Sequence, residues 1–93
     1  MERLDEAAIA QALERLPGWQ RQGDAIVREF TFKNFREAMA FVQRVADLAE
    51  QRRHHPDITI RYNRVQLLLT THEAGGLTER DLELARSVDA LVP

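Results

Sequence analysis

The sequence predicts an α+β domain: a four-stranded antiparallel sheet with three helices packed on one face, in the order α-β-β-α-β-β-α. Two observations carry that expectation. Apolar residues recur at helical spacing in three separate stretches, and four strand-like stretches come as two pairs, each around a short turn.

The first helix is expected in "DEAAIAQALERL", where Asp5 can cap the start and Ile9, Leu13 and Leu16 share a face. Pro17-Gly18 stops it. "GWQRQGDAIVREFTF" then reads as two strands around a Gly23-Asp24 turn, with Ile26, Phe30 and Phe32 on one face of the second. Arg28 interrupts that face.

Asn34 opens the second helix with Glu37 three residues on, in the manner of a capping box. Phe35, Ala38, Met39, Val42, Val45, Ala46 and Ala49 form its apolar stripe. Phe41 and Leu48 widen the stripe beyond one sheet face, as extra core or as a contact with another subunit. Pro56 disfavours helix at His55, so this helix ends close to His54.

"DITIRYNRVQLLLTTH" alternates about Asn63-Arg64, which predicts a hairpin turning at those two residues. "EAGG" is a loop. Thr78, with Asp81 three residues later, opens the last helix, whose stripe is Leu82, Ala85, Val88 and Leu91.

Composition narrows the function classes. The 93 residues suit one small domain, and with no cysteine there is no disulfide, thiolate metal site or thiol nucleophile. A chain this small gains stability by association, so a homo-oligomer is expected. Thirteen basic against 15 acidic residues give a net charge of −2, which attracts neither nucleic acid nor an anionic membrane. The apolar runs are too short to span a bilayer, and "MERLDEAAIAQ" does not read as a signal peptide, so a soluble cytoplasmic protein is expected.

The chemistry-bearing residues gather near the hairpin's open end. The chain has three histidines, and His54 and His55 sit together where the second helix ends. With Asn63-Arg64 as the turn, Ile60 faces Leu67 and Ile58 faces Leu69, and extending the register sets His72 opposite His55. Glu50 lies one helical turn before His54, and a short loop brings Asp81 close to His72. Imidazoles grouped with carboxylates suit proton transfer near neutral pH. Each also has a plainer reading: a polar helix end for His54 and His55, a solvated strand end for His72, a helix cap for Asp81, a surface ion pair for Glu50 and core packing for Trp19. A zinc or iron site ranks below acid–base use, because adjacent His-His side chains diverge and no His-x-x-x-His pair exists.

The spacing Glu50, His54-His55-Pro56, Tyr62, His72, Asp81 resembles the signature of the pterin-4a-carbinolamine dehydratases. "HHPDITIRYNRVQLLLTTHEAGGLTERDLELA" is similar to that family throughout, as are "GW" at 18–19, "FTFKNF" and "RVADLAE". The resemblance spans nearly the whole chain as one domain and is weakest in the first helix.

The resemblance implies dehydration of 4a-hydroxytetrahydrobiopterin to the quinonoid dihydropterin, in support of aromatic amino-acid hydroxylases, with no metal or organic cofactor. It implies dimers joined through their sheets and tetramers joined through helices. His54, His55 and His72 become the catalytic histidines, with His55 and His72 in the acid–base steps and His54 orienting. Glu50 sets the charge of the pair and Pro56 shapes the turn. Asp81 and Arg80 support His72 or line the pocket, and Trp19 lies near the pterin. The alternative is a non-enzymatic role, as a dimerisation cofactor or chaperone-like module with Phe41 and Leu48 on its binding face.

Overall fold

A computed structural model describes residues 2–93. Helix α1 spans Glu6–Glu14 and strands β1 and β2 span Gln20–Gln22 and Ala25–Thr31. Helix α2 (Phe35–Arg52) is followed by β3 (Asp57–Arg61), β4 (Arg64–Leu69), a short 3-10 turn at His72–Ala74 and α3 (Glu79–Asp89). The sheet order is β1-β2-β4-β3 with every neighbouring pair antiparallel, as the α+β expectation has it.

Alternation sorts the sheet into two faces. Ile26, Phe30, Val65, Leu67 and Leu69 are buried, whereas Glu29, Thr31, Arg64 and Gln66 between them are exposed. The buried face packs with Ala38, Phe41 and Val45 of α2, Leu82, Leu84, Ala85 and Val88 of α3, and Ile9 of α1. Burying a side chain such as Leu67 or Ile26 stabilises the fold by about 1.5–3 kcal/mol. Phe41 belongs to this core: it is 4% exposed, with its ring 4.7 Å from Phe30 and 4.9 Å from Phe32. Of its two readings, extra core is the one the structure supports. The exposed apolar residues of α2 are Phe35 and Met39 instead.

Arg28 stays on the inner face and is accommodated at its margin. Its guanidinium lies 4.4 Å from the Phe30 ring centroid and donates to Asp89 Oδ1 at 2.6 Å. The Trp19 indole N–H donates to the same oxygen at 2.9 Å, so the basic group in the apolar stripe is paired. Elsewhere the caps follow the sequence: Asp5 accepts from Ala8 N–H, Asn34 from Glu37 N–H, and Thr78 with Asp81 forms a full capping box. Arg21 bonds Glu6, and that pairing holds the Glu6 carboxyl below its usual range.

The second hairpin differs from its expected register. Ile60 pairs with Val65 and Ile58 with Leu67, so the reversal falls on Tyr62-Asn63 rather than Asn63-Arg64. Contacts with β2 decide this. Asn63 is tied to Phe32 twice, accepting from its N–H and donating from Nδ2 to its carbonyl, each at 2.8 Å, and Arg64 pairs with Thr31. Tyr62 must then make the turn, and it takes φ 53° to do so. The slip is by two residues, so the inward face is unchanged. His72, however, is not opposite His55. The β3–β4 ladder stops at Asp57↔Leu68, and the chain leaves the sheet after Leu69.

Candidate active site

The end of α2 places its two histidines in different environments. Arg53 adopts the left-handed conformation, φ 51° and ψ 42°. Its N–H donates to Glu50 O and that of His54 to Ala49 O, the paired bonds of a Schellman cap. The reversal breaks the one-turn relation between Glu50 and His54. Glu50 meets His55 instead, Oε2 to Nε2 at 2.6 Å, with both side chains well exposed. Arg80, from α3, donates to Arg52 O and Arg53 O, holding the carbonyl end of α2 where a cation is favoured.

His54 turns inward and is 8% exposed. Its Nε2 lies 2.5 Å from Asp81 Oδ1, and Asp81 is fully buried at the start of α3. The other carboxylate oxygen, Oδ2, accepts from the Thr71 hydroxyl at 2.8 Å and from Thr78 N–H at 2.9 Å. Three donors around one carboxylate offset the cost of burying it. An ionised carboxylate only accepts, so the His54 proton is assigned to Nε2. Nδ1 has no hydrogen-bond partner among the described residues and remains the ring's free acceptor.

His72 begins the 3-10 turn and is exposed. It borders a recess of about 260 Å³ with Asp24, Ala25, Thr70, Gly75 and Gly76. Its link to the His54 pair is indirect and runs through its neighbour Thr71, which bonds Asp81. A larger groove of about 590 Å³ lies between α1 and α3 and touches no histidine.

The expected residues therefore divide. The ends of α2 and α3 bring His54, Asp81 and Arg80 together, with Thr71 leading into His72. His55 and Glu50 form an exposed pair beside them, with Pro56 half-buried at the turn. Trp19 is buried in the core and bonded to Asp89, about 12 Å along α3 from Asp81 at the helical rise. Arg80 contacts the α2 carbonyls rather than His72. Thr71 and Thr78 complete the shell of Asp81. Thr78 is legible as a helix cap, but nothing in the local pattern marks Thr71 as a partner of a residue ten positions away.

The chain is a small α+β protein in which a buried carboxylate backs one imidazole and, through Thr71, adjoins the residue that bears a second, an arrangement of a kind suited to acid–base chemistry. Residues 2–91 match the Pterin 4 alpha carbinolamine dehydratase family, and the chain belongs to it. Two bacterial relatives bear the name "Putative pterin-4-alpha-carbinolamine dehydratase". That from Thermomicrobium roseum is 72% identical and covers 98% of each chain. That from Chloroflexus aurantiacus is 55% identical and covers 99% of each. A solved structure from Brucella melitensis, described as a transcriptional coactivator/pterin dehydratase, is 40% identical with a TM-score of 0.95, covering 99% of this chain and 100% of that one. A pterin dehydratase-like RuBisCO assembly factor of the alpha-carboxysome is 28% identical with a TM-score of 0.68, covering 80% of this chain and 88% of its own.

Proposed function

We propose that this protein is a hydro-lyase that converts 4a-hydroxytetrahydropterin to quinonoid dihydropterin and water. The observation that supports it best is the buried His54–Asp81 pair in a chain of this family. In the reaction an acid protonates the 4a-hydroxyl, and the C–O bond breaks with its electron pair leaving as water. A base takes the proton from the neighbouring ring nitrogen, whose N–H electrons become the new C=N bond. No oxidant or reductant enters, and imidazoles fill both roles near neutral pH.

His54 is assigned the base. Asp81 holds its Nε2 proton and leaves Nδ1 to accept, the arrangement in which a carboxylate fixes the tautomer of a working imidazole. His72, at the rim of the recess, is assigned the acid. His55, held by Glu50, orients the substrate. This exchanges the roles expected of His54 and His55, because only His54 has a buried carboxylate behind it. Arg80 and Pro56 shape the turn that presents the two rings, and Trp19 serves the core. The single domain acts as a cytoplasmic homo-oligomer, and the hydroxylases of aromatic amino acids are the reactions whose spent pterin it would return to use.

The test is to generate 4a-hydroxytetrahydropterin in situ and follow the quinonoid product by absorbance. The wild-type protein is expected to accelerate dehydration equally with and without chelator. His54→Ala and His72→Ala should each lower kcat by roughly 10²-fold, the usual worth of a general acid or base. A folded wild-type protein that gives only the spontaneous rate overturns the proposal.

A further inference from the structure

We infer that Thr71 is a positioning residue for His54, acting through Asp81 to keep the imidazole proton on Nε2. The inference rests on the acid–base reading of His54 and extends it to a residue outside the dehydratase signature.

Three groups bond the Asp81 carboxylate, and their donors can be assigned in one consistent way. His54 Nε2–H points to Oδ1, and Thr78 N–H and the Thr71 hydroxyl point to Oδ2. The Thr71 hydroxyl has one proton. It lies 2.9 Å from Thr78 Oγ1 as well, and since the carboxylate cannot donate, Thr78 O–H donates to Thr71 and Thr71 donates to Asp81. Thr71, Thr78 and Asp81 are each at most 1% exposed, so no bulk water stands ready to replace a lost donor. The Thr71 hydroxyl thereby fixes the carboxylate's rotation, which aims Oδ1 at His54.

Thr71 also anchors the loop bearing His72, through two backbone bonds with Gly76: N–H to O at 3.0 Å, and the reverse at 3.3 Å. Those bonds do not use the side chain. Removing the hydroxyl therefore leaves the His72 loop tied and disturbs the Asp81 carboxylate that faces His54, together with the Thr78 hydroxyl that donated to Thr71. Valine is the appropriate replacement, because its second methyl fills the hydroxyl's place and excludes a substitute water.

The experiment compares wild type, Thr71→Val and Thr71→Ser by nitrogen-15 NMR of the His54 ring, above the imidazole titration range, and by steady-state kinetics. In the wild type and Thr71→Ser the Nε2–H tautomer should dominate. In Thr71→Val the Nδ1–H form should become populated, with kcat down roughly tenfold or more and KM little changed. Serine rescue separates the hydroxyl from a packing defect. A Thr71→Val protein that is folded and keeps the wild-type tautomer overturns the inference, whatever its rate, and so does an altered tautomer with unaltered kcat in an active enzyme. Should the wild type lack dehydratase activity, the proposed function fails, and the NMR measurement alone decides the role of Thr71.

Discussion

At Asp81 a single carboxylate closes the capping box of α3 and receives the His54 N–H, so a substitution there has two separable effects. Asp81→Asn keeps the volume but sets an amide N–H₂ against either the His54 donor or the pair from Thr71 and Thr78. The unmatched donors should cost about 1–3 kcal/mol of stability, read from the denaturant midpoint. On the proposed mechanism, kcat should also fall by roughly 10²-fold, because His54 loses the group that selects its tautomer. His55 and Glu50 offer the contrast. Their bond is short, but both groups are exposed, and such a pair contributes about 0–1 kcal/mol. The sequence exposes the adjacent histidines but not the difference between them. That difference arises when Arg53 reverses the chain and turns one ring in and the other out.

Helices and strands were legible wherever local chemistry decides them. Asp5, Asn34 and Thr78 cap as their residue types suggest, and Pro17 and Pro56 lie just beyond helices. The second hairpin was legible as a hairpin but not in its turn, because the choice of Tyr62-Asn63 over Asn63-Arg64 is made by Phe32, 31 residues before Asn63. The position of His72 was lost because the hairpin register is shifted by two residues and because alternation continues in the sequence past Leu69, where pairing ends. Among the described residues the two non-glycine residues with positive φ, Arg53 and Tyr62, stand at chain reversals. Arg53→Gly should therefore stabilise the protein. Relief of the left-handed conformation, about 1–2 kcal/mol, exceeds the flexibility glycine adds to the unfolded chain, about 0.5–1 kcal/mol. Chemical denaturation should show a net gain of roughly 0.5–1 kcal/mol. On the proposed function, the dehydration rate should be unchanged, since the carbonyl that Arg80 binds is retained.

For the whole molecule, the one-sided arrangement of helices leaves surface uncovered. Strand β3 is an edge with a neighbour only in β4, and it carries Ile60, 37% exposed, beside Tyr62, 66% exposed. Phe35 and Met39 stand out from α2 at 49% and 38%. An open edge and four exposed large apolar side chains among the described residues support the proposed self-association. Sedimentation at micromolar concentration should give an assembly of at least two chains, and Phe35→Glu should reduce its size without unfolding the monomer. Sedimentation of the wild type as a monomer would refute the oligomer. Phe41→Glu should behave differently and unfold the chain, because that ring is shut into the core between Phe30 and Phe32. Among the described residues no helix is long and apolar enough to cross a membrane.

The backbone amide of Thr78 donates to the same carboxylate oxygen that Thr71 holds, one covalently rigid group away from the oxygen facing His54. Its exchange with solvent deuterium therefore reports on the site without substrate or assay. Whenever the first turn of α3 frays enough to release that proton, Asp81 loses one of the two donors that hold Oδ2 and its aim at the imidazole slackens. The slowness of that one amide's exchange measures how seldom that turn opens beneath the site.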